Sequence, residues 1–218
     1  MKFTWMPGLV LCGALTALAA NPVPTSIDEP KPVEGEKVKV LEVGSTVPER
    51  IELKDFEGNS TSFKELRDKV VVLHFWSYRC PAERHANPIF MKMESRYAES
   101  DDVVMIGIVS NQNELGVAPG KDANYRNHYK ELRKKRDDVG YKHTILADHG
   151  NKISDLFGAR STPHCYVIDK KGVIRYSGAL DDDPRGKKGD EATNYVVDAT
   201  KAVLAGEKVK YAETKPYG

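Results

Sequence analysis

One cysteine stands where a thiol could do chemistry. Phe75-Trp76-Ser77-Tyr78-Arg79-Cys80-Pro81-Ala82-Glu83-Arg84 runs out of an apolar stretch into an amphipathic one. The pattern predicts Cys80 as a helix N-cap, Pro81 as the first helical residue and Glu83 as the third. A helix N-terminus carries unpaired backbone N–H groups and about half a positive charge, which stabilises a thiolate. Arg79, Arg84 and His85 would strengthen that field and Glu83 would oppose it. Read only as structure, the same residues are a capping box with sulfur in place of a hydroxyl. Cysteine is an uncommon cap, however, and serine would serve better. Cys165, followed by Tyr166, Val167 and Ile168, reads as a small buried hydrophobe and an inert thiol. Its alternative role is to resolve an oxidised Cys80.

Positioning Cys80 requires a strand before it and a helix after it. Val70-Val71-Val72-Leu73-His74-Phe75-Trp76 is a β-branched apolar run of the kind buried on both sheet faces. Ala82, Ala86, Ile89, Phe90, Met93 and Tyr97 have helical spacing. Residues 51–53 and 60–63 flank a turn at Glu57-Gly58-Asn59, as a hairpin would. Residues 103–109 form a second buried strand, 124–136 a helix, 153–157 a short helix ended by Gly158, and 194–204 a last helix. Residues 165–169 and 173–177 make a hairpin across Lys170-Lys171-Gly172. The resulting order is strand, helix, strand, helix, strand, strand, helix, which predicts an α/β mixed central sheet with helices on both faces.

The motif Phe-Trp-x-x-x-Cys-Pro-x-x-Arg, with Pro88 beyond it, resembles the active-site segment of TlpA-like thiol–disulfide oxidoreductases in the thioredoxin superfamily. Ser161-Thr162-Pro163 before a strand resembles that superfamily's cis-proline loop. Val43-Gly44, Pro48, Leu53, Gly58, Phe63 and Leu66 are similar to the lead-in of the redoxin and AhpC/TSA group. The resemblance covers residues 43–204 and implies a thioredoxin-like fold, a nucleophilic thiol at Cys80 and a substrate groove at Trp76, Thr162 and Pro163. It also places His74 behind the nucleophile, either as a general base or as a buried hydrogen-bonded imidazole. The family's redox pair is Cys-x-x-Cys, and Glu83 stands at the second position, so no disulfide can form within that motif. Ser77-Tyr78-Arg79-Cys80-Pro81-Ala82-Glu83 is also similar to the peroxidatic motif of peroxiredoxins, in which Ser77 would bond the peroxide and Cys80 would become a sulfenic acid. Leu73 and Pro163 depart from that pattern, and no cysteine lies in the C-terminal segment. The site residues are therefore Cys80, Ser77, His74 and Glu83 for chemistry.

The whole chain narrows the setting. It has 218 residues with 33 basic and 32 acidic side chains, no electrostatic footprint for nucleic acid. The run Arg133-Lys134-Lys135-Arg136, followed by Asp137 and Asp138, reads as a solvated helix face. Lys2, an apolar stretch from Phe3 to Leu18 and small residues at Ala17, Ala19 and Ala20 read as an export signal with its cleavage site. Cys12 follows Leu11, where a lipoprotein signal would want a small residue. The expected organisation is a signal peptide over 1–20, a proline-rich acidic spacer over 21–40, the thioredoxin-like domain over 41–206 and a tail over 207–218. The export signal places the protein in the periplasm or another extracytoplasmic space, with membrane contact only through an uncleaved signal. Asp181-Asp182-Asp183 reads as a solvated turn, and His149 and His164 lack ligand spacing, so no metal and no cofactor is expected. The insertion over 111–122 follows a strand's C-terminal end, where α/β folds bind ligands. The function these features point to is single-cysteine thiol redox chemistry on a disulfide-containing protein or a peroxide, with an external thiol as reductant. The alternative is a binding module that keeps the groove without its redox pair.

Overall fold

The computed structural model describes residues 1–2 and 39–218. The expected signal peptide and nearly all of the spacer lie outside the described residues. A compact unit spans Val38–Gly218, so the segment after 206, expected as a tail, is part of the folded body. Among the described residues no helix is long and apolar enough to cross a membrane.

Seven strands form one mixed sheet in the order β2-β1-β5-β4-β3-β6-β7. β1 (Glu52–Asp55) and β2 (Ser60–Ser62) make the N-terminal hairpin. β3 (Val70–Phe75) sits between β4 (Val103–Val109), which is parallel to it, and β6 (His164–Ile168), which is antiparallel. β7 (Ile174–Gly178) completes the C-terminal hairpin. All six β3 residues are buried, as the unbroken apolar run requires. Val70 and Val72 point to the face covered by α1 (Glu83–Tyr97), α4 (Lys130–Val139) and α6 (Tyr195–Leu204). Val71, Leu73 and Phe75 point to the opposite face, where α5 (Lys152–Phe157) contributes Ile153 and Phe157.

Three elements differ from expectation. β5 (Thr144–Ala147) pairs parallel to β4 and antiparallel to β1; four residues are too few to show a period. The helix expected over 124–136 is two, α3 (Tyr125–His128) and α4, broken at Tyr129. Tyr129 is drawn inward, its ring 5.2 Å from that of Phe56 and its hydroxyl 2.7 Å from His149 Nε2. Part of the 111–122 insertion folds as the one-turn helix α2 (Gln112–Leu115), capped by the Asn111 side chain.

The acidic run is also a correction. Asp181 and Asp183 are buried, not solvated. Asp183 accepts the Lys187 and Lys188 backbone N–H groups, Asp182 accepts that of Thr193, and Asp181 accepts that of Asp183. The carboxylates are buried because they satisfy a loop's own donors. Among the described residues no His, Cys, Asp and Glu group could hold a metal ion. Of the basic run expected as a solvated face only Lys134 is exposed, tied to Asp138; Arg133, Lys135 and Arg136 are half-buried, with Arg136 tied to Glu57 and Asp137.

Candidate active site at Cys80

Cys80 lies two residues before the capping position. α1 begins at Glu83 with Ala82 as its N-cap, and no side chain caps it. Backbone bonds from Cys80 N–H to Ser77, Glu83 N–H to Cys80, and Arg84 N–H to Pro81 make the lead-in a series of tight three-residue turns. Cys80 therefore projects from the turn and its sulfur is free to reach across the sheet end. The Cys80 Sγ–H donates to the Thr162 carbonyl at 2.8 Å. The Thr162–Pro163 peptide is cis. Two segments 82 residues apart thus meet at one point, the C-terminal end of β3 and the start of β6.

Of the three basic residues near Cys80 in sequence, Arg84 is exposed and the other two are committed elsewhere. Arg79 Nε donates to the Tyr78 hydroxyl at 3.1 Å, and His85 Nε2 lies 2.7 Å from Asp181 Oδ2. Trp76 is 1% exposed, with its ring edge-on to Tyr141 at 6.3 Å. It backs the site from the core and does not line an open groove, because β3 carries it onto the face that α1 covers.

Two carboxyls adjoin the turn that carries Cys80. Glu83 is 2% exposed, and neither of its oxygens has a hydrogen-bond partner. Burial raises its pKa well above the ordinary value, opposed in part by the nearby Ser77 backbone N–H and aided slightly by Glu114. Glu114, on α2, accepts the Ser77 hydroxyl at 2.5 Å and the Arg79 backbone N–H at 3.3 Å. Burial raises the Glu114 pKa as well, against those bonds. Its second oxygen is buried and unpaired. Burial thus raises the pKa of two carboxyls beside the turn that carries Cys80, the setting in which an acid can take part in proton transfer.

His74 heads a buried relay. Its Nε2 lies 2.9 Å from His143 Nε2, and His143 Nδ1 meets Glu94 Oε1. Glu94 also accepts the backbone N–H groups of Lys142 and His143. Burial works against that carboxylate, but the His143 donors outweigh it and hold its pKa below the ordinary value. The His143 proton is therefore on Nδ1, and in the neutral imidazole its Nε2 accepts from His74. Burial, then the neighbouring His143, keeps the His74 pKa well below 6.5. His74 Nδ1 is left buried and without a partner. Gly107 leaves the pair room, since a Cβ there would sit 3.3 Å from His74 Nε2 and 3.4 Å from His143 Nε2.

Cys165 sits opposite His74 in the β3–β6 register and is fully buried. Burial, with the Glu83 and Asp181 carboxyls adding to it, pushes its thiol pKa well above the ordinary value. Both cysteines are free thiols. His164 is buried too, its pKa lowered to about 4 by desolvation.

Glu114, His143, Glu94 and Asp181 did not emerge from the sequence as site residues. The position of residues 111–122 after a strand's C-terminal end was the one signal that pointed toward Glu114.

With this geometry in place, the family comparison is decisive: the AhpC/TSA family model matches residues 43–177. The chain belongs to the AhpC/TSA family. It is 30% identical over 122 residues to the thiol-disulfide oxidoreductase ResA of Halalkalibacterium halodurans, covering 56% of this chain and 60% of the relative. It is 29% identical over 138 residues to the chloroplastic peroxiredoxin Q of Triticum aestivum, covering 60% of this chain and 56% of the relative. The match therefore spans less than two thirds of either relative. In fold, it superposes on an uncharacterized conserved protein from Geobacillus kaustophilus with TM-score 0.67 at 22% identity, covering 82% of this chain and 90% of that one. The AhpC/TSA chain thus has a thioredoxin-like fold, as its motifs imply, and its relatives include both a thiol-disulfide oxidoreductase and a peroxiredoxin.

Proposed function

We propose that this is an exported thiol oxidoreductase that works through Cys80 alone. The observation that carries the reading is the Cys80 sulfur 2.8 Å from the carbonyl before the cis-proline, with a buried acid where a dithiol enzyme has its second thiol. The Cys80 thiolate attacks a peroxide oxygen, breaking the O–O bond to give a sulfenic acid and an alcohol or water. Alternatively it attacks a substrate disulfide, forming a mixed disulfide and releasing the other sulfur as a thiolate. Glu83 and Glu114, whose pKa values burial raises, are the acids proposed to supply the leaving group's proton, and Ser77 stays oriented by Glu114. An external thiol then condenses with the sulfenic acid, releasing water, and a second thiol frees Cys80 by exchange. Residues 1–20 act as the export signal and 21–40 as the spacer in this reading.

Mass spectrometry with a sulfenic-acid trap tests it. Peroxide should mark Cys80 in the wild type, and a disulfide substrate should leave a mixed disulfide there. If Cys80 reacts no faster than a free thiol, and Cys80→Ser keeps whatever biological activity is assayed, the groove is a binding surface and the redox reading is wrong.

A further inference from the structure

The segment after α6 returns along the edge of β7. Ser177 N–H donates to the Ala212 carbonyl at 3.0 Å, and Thr214 N–H donates to the Ser177 carbonyl at 3.1 Å. Glu213 pairs parallel with Ser177. Thr214 Oγ1 accepts the Ala179 N–H at 2.9 Å and lies 2.6 Å from the Tyr176 hydroxyl. This is strand addition to a sheet edge, the mode by which extended peptides bind.

Beyond Thr214 the segment runs to the thiol. The Tyr217 hydroxyl donates to Asp181 Oδ1, and the other oxygen of that carboxylate meets His85 on α1. Gly218 then lies directly on the Thr162 backbone. A Cβ on Gly218 would fall 2.1 Å from the Thr162 oxygen and 2.9 Å from its nitrogen. That oxygen is the one that accepts the Cys80 Sγ–H. A second close approach lies upstream, where a Cβ on Gly178 would sit 2.3 Å from Thr214 Oγ1 and 2.4 Å from the Thr214 carbonyl oxygen. Side-chain-free positions at both contacts are what let the segment seat this deeply.

We propose that residues 212–218 are a resident ligand of the peptide groove beside Cys80, so that an extended disulfide-bearing peptide must displace them to reach the thiol. The proposal rests on Cys80 being the nucleophile. The groove it describes takes an extended chain in register with β7, with a small residue on Thr162 and a hydroxyl-bearing aromatic one position earlier reaching Asp181. A peroxide is small enough to reach the sulfur without occupying that length of groove. The segment therefore biases the protein between its two substrate classes.

Gly218→Trp in the full chain unseats the segment's end without touching Cys80. Rates of mixed-disulfide formation with a disulfide-bearing peptide, and of sulfenic-acid formation with hydrogen peroxide, are read by mass spectrometry. If the groove is open about one-tenth of the time in the wild type, the ratio of the two rates should rise about tenfold in the variant. A second measurement needs no chemistry. In the Cys80→Ser background, a synthetic peptide of residues 212–218 should shift the Thr162 amide resonance of the Gly218→Trp chain and leave that of the Gly218 chain unmoved. An unchanged rate ratio, or equal peptide binding to both chains, overturns the proposal. Failure of Cys80 to react with either substrate in either chain refutes the redox reading instead, and the peptide titration still decides whether the segment fills the groove.

Discussion

Replacing Glu83 with Gln asks whether the fold buries a neutral acid behind Cys80. The carboxyl is 2% exposed and has no hydrogen-bond partner. Burial, with Glu114 adding to it, raises its pKa well above the ordinary value of 4.5. An acid with a native pKa above its unfolded value binds more protons in the folded state. Its stabilisation is complete below the unfolded pKa and is lost as pH rises toward the native pKa, at about 1.4 kcal/mol per pH unit. His74 and His164, both lowered by burial, act with the opposite sign. Their contribution is full above the unfolded value near 6.5 and falls as pH drops below it. The wild-type curve is therefore a sum of opposed slopes, and the difference between variant and wild type isolates Glu83. Gln keeps the shape and has no proton to lose. Urea unfolding from pH 4.5 to 7 should show the variant gaining steadily on the wild type as pH rises, at a slope of at most about 1.4 kcal/mol per pH unit. A difference that stays flat across that range would show that Glu83 is not held protonated, and its role as a proton donor would go with it.

Cys165 should resist a thiol reagent that modifies Cys80 within minutes, since the folded sheet excludes the reagent; equal labelling, or a recovered Cys80–Cys165 disulfide peptide, would make Cys165 a resolving cysteine. Gly107→Ala should destabilise the fold by about 1–3 kcal/mol, measured by chemical denaturation, because the added methyl meets Ile145 Cγ1 at 3.1 Å as well as both imidazoles. Glu83→Cys should restore some dithiol reductase activity in a disulfide-reduction assay; if Cys80 forms a disulfide with the introduced thiol and no turnover appears, the surrounding site lacks what reduction requires.

Much of the fold was legible because its signals are local. The β-branched run over β3 needs no partner to be recognised as a buried strand, and Cys80-Pro81 and Thr162-Pro163 each carry their meaning within a few residues. β5 escaped because four residues hold too little periodicity, and the helix over 124–136 broke at Tyr129 because the core took that side chain inward. Cys80 was expected at a cap, yet it occupies the turn before one, since helix onset depends on backbone bonds that composition leaves open by a residue or two.

What the sequence determined by itself was the inventory: one thiol before a proline, an acid where a second thiol would be, and a proline loop far along the chain. What only the tertiary structure decided was which charges and segments surround them. Glu114 reaches Ser77 across 37 residues, His143 reaches His74 across 69, and Tyr217 reaches Asp181 across 36. Asp181 and Asp183 read as solvated until the loop's own N–H groups are seen to enclose them. The physical reason is that burial and hydrogen-bond partners, which set whether a carboxyl is charged or an imidazole is a base, belong to the environment and not to the residue. Chain neighbours supply little of that environment once a sheet brings distant strands together.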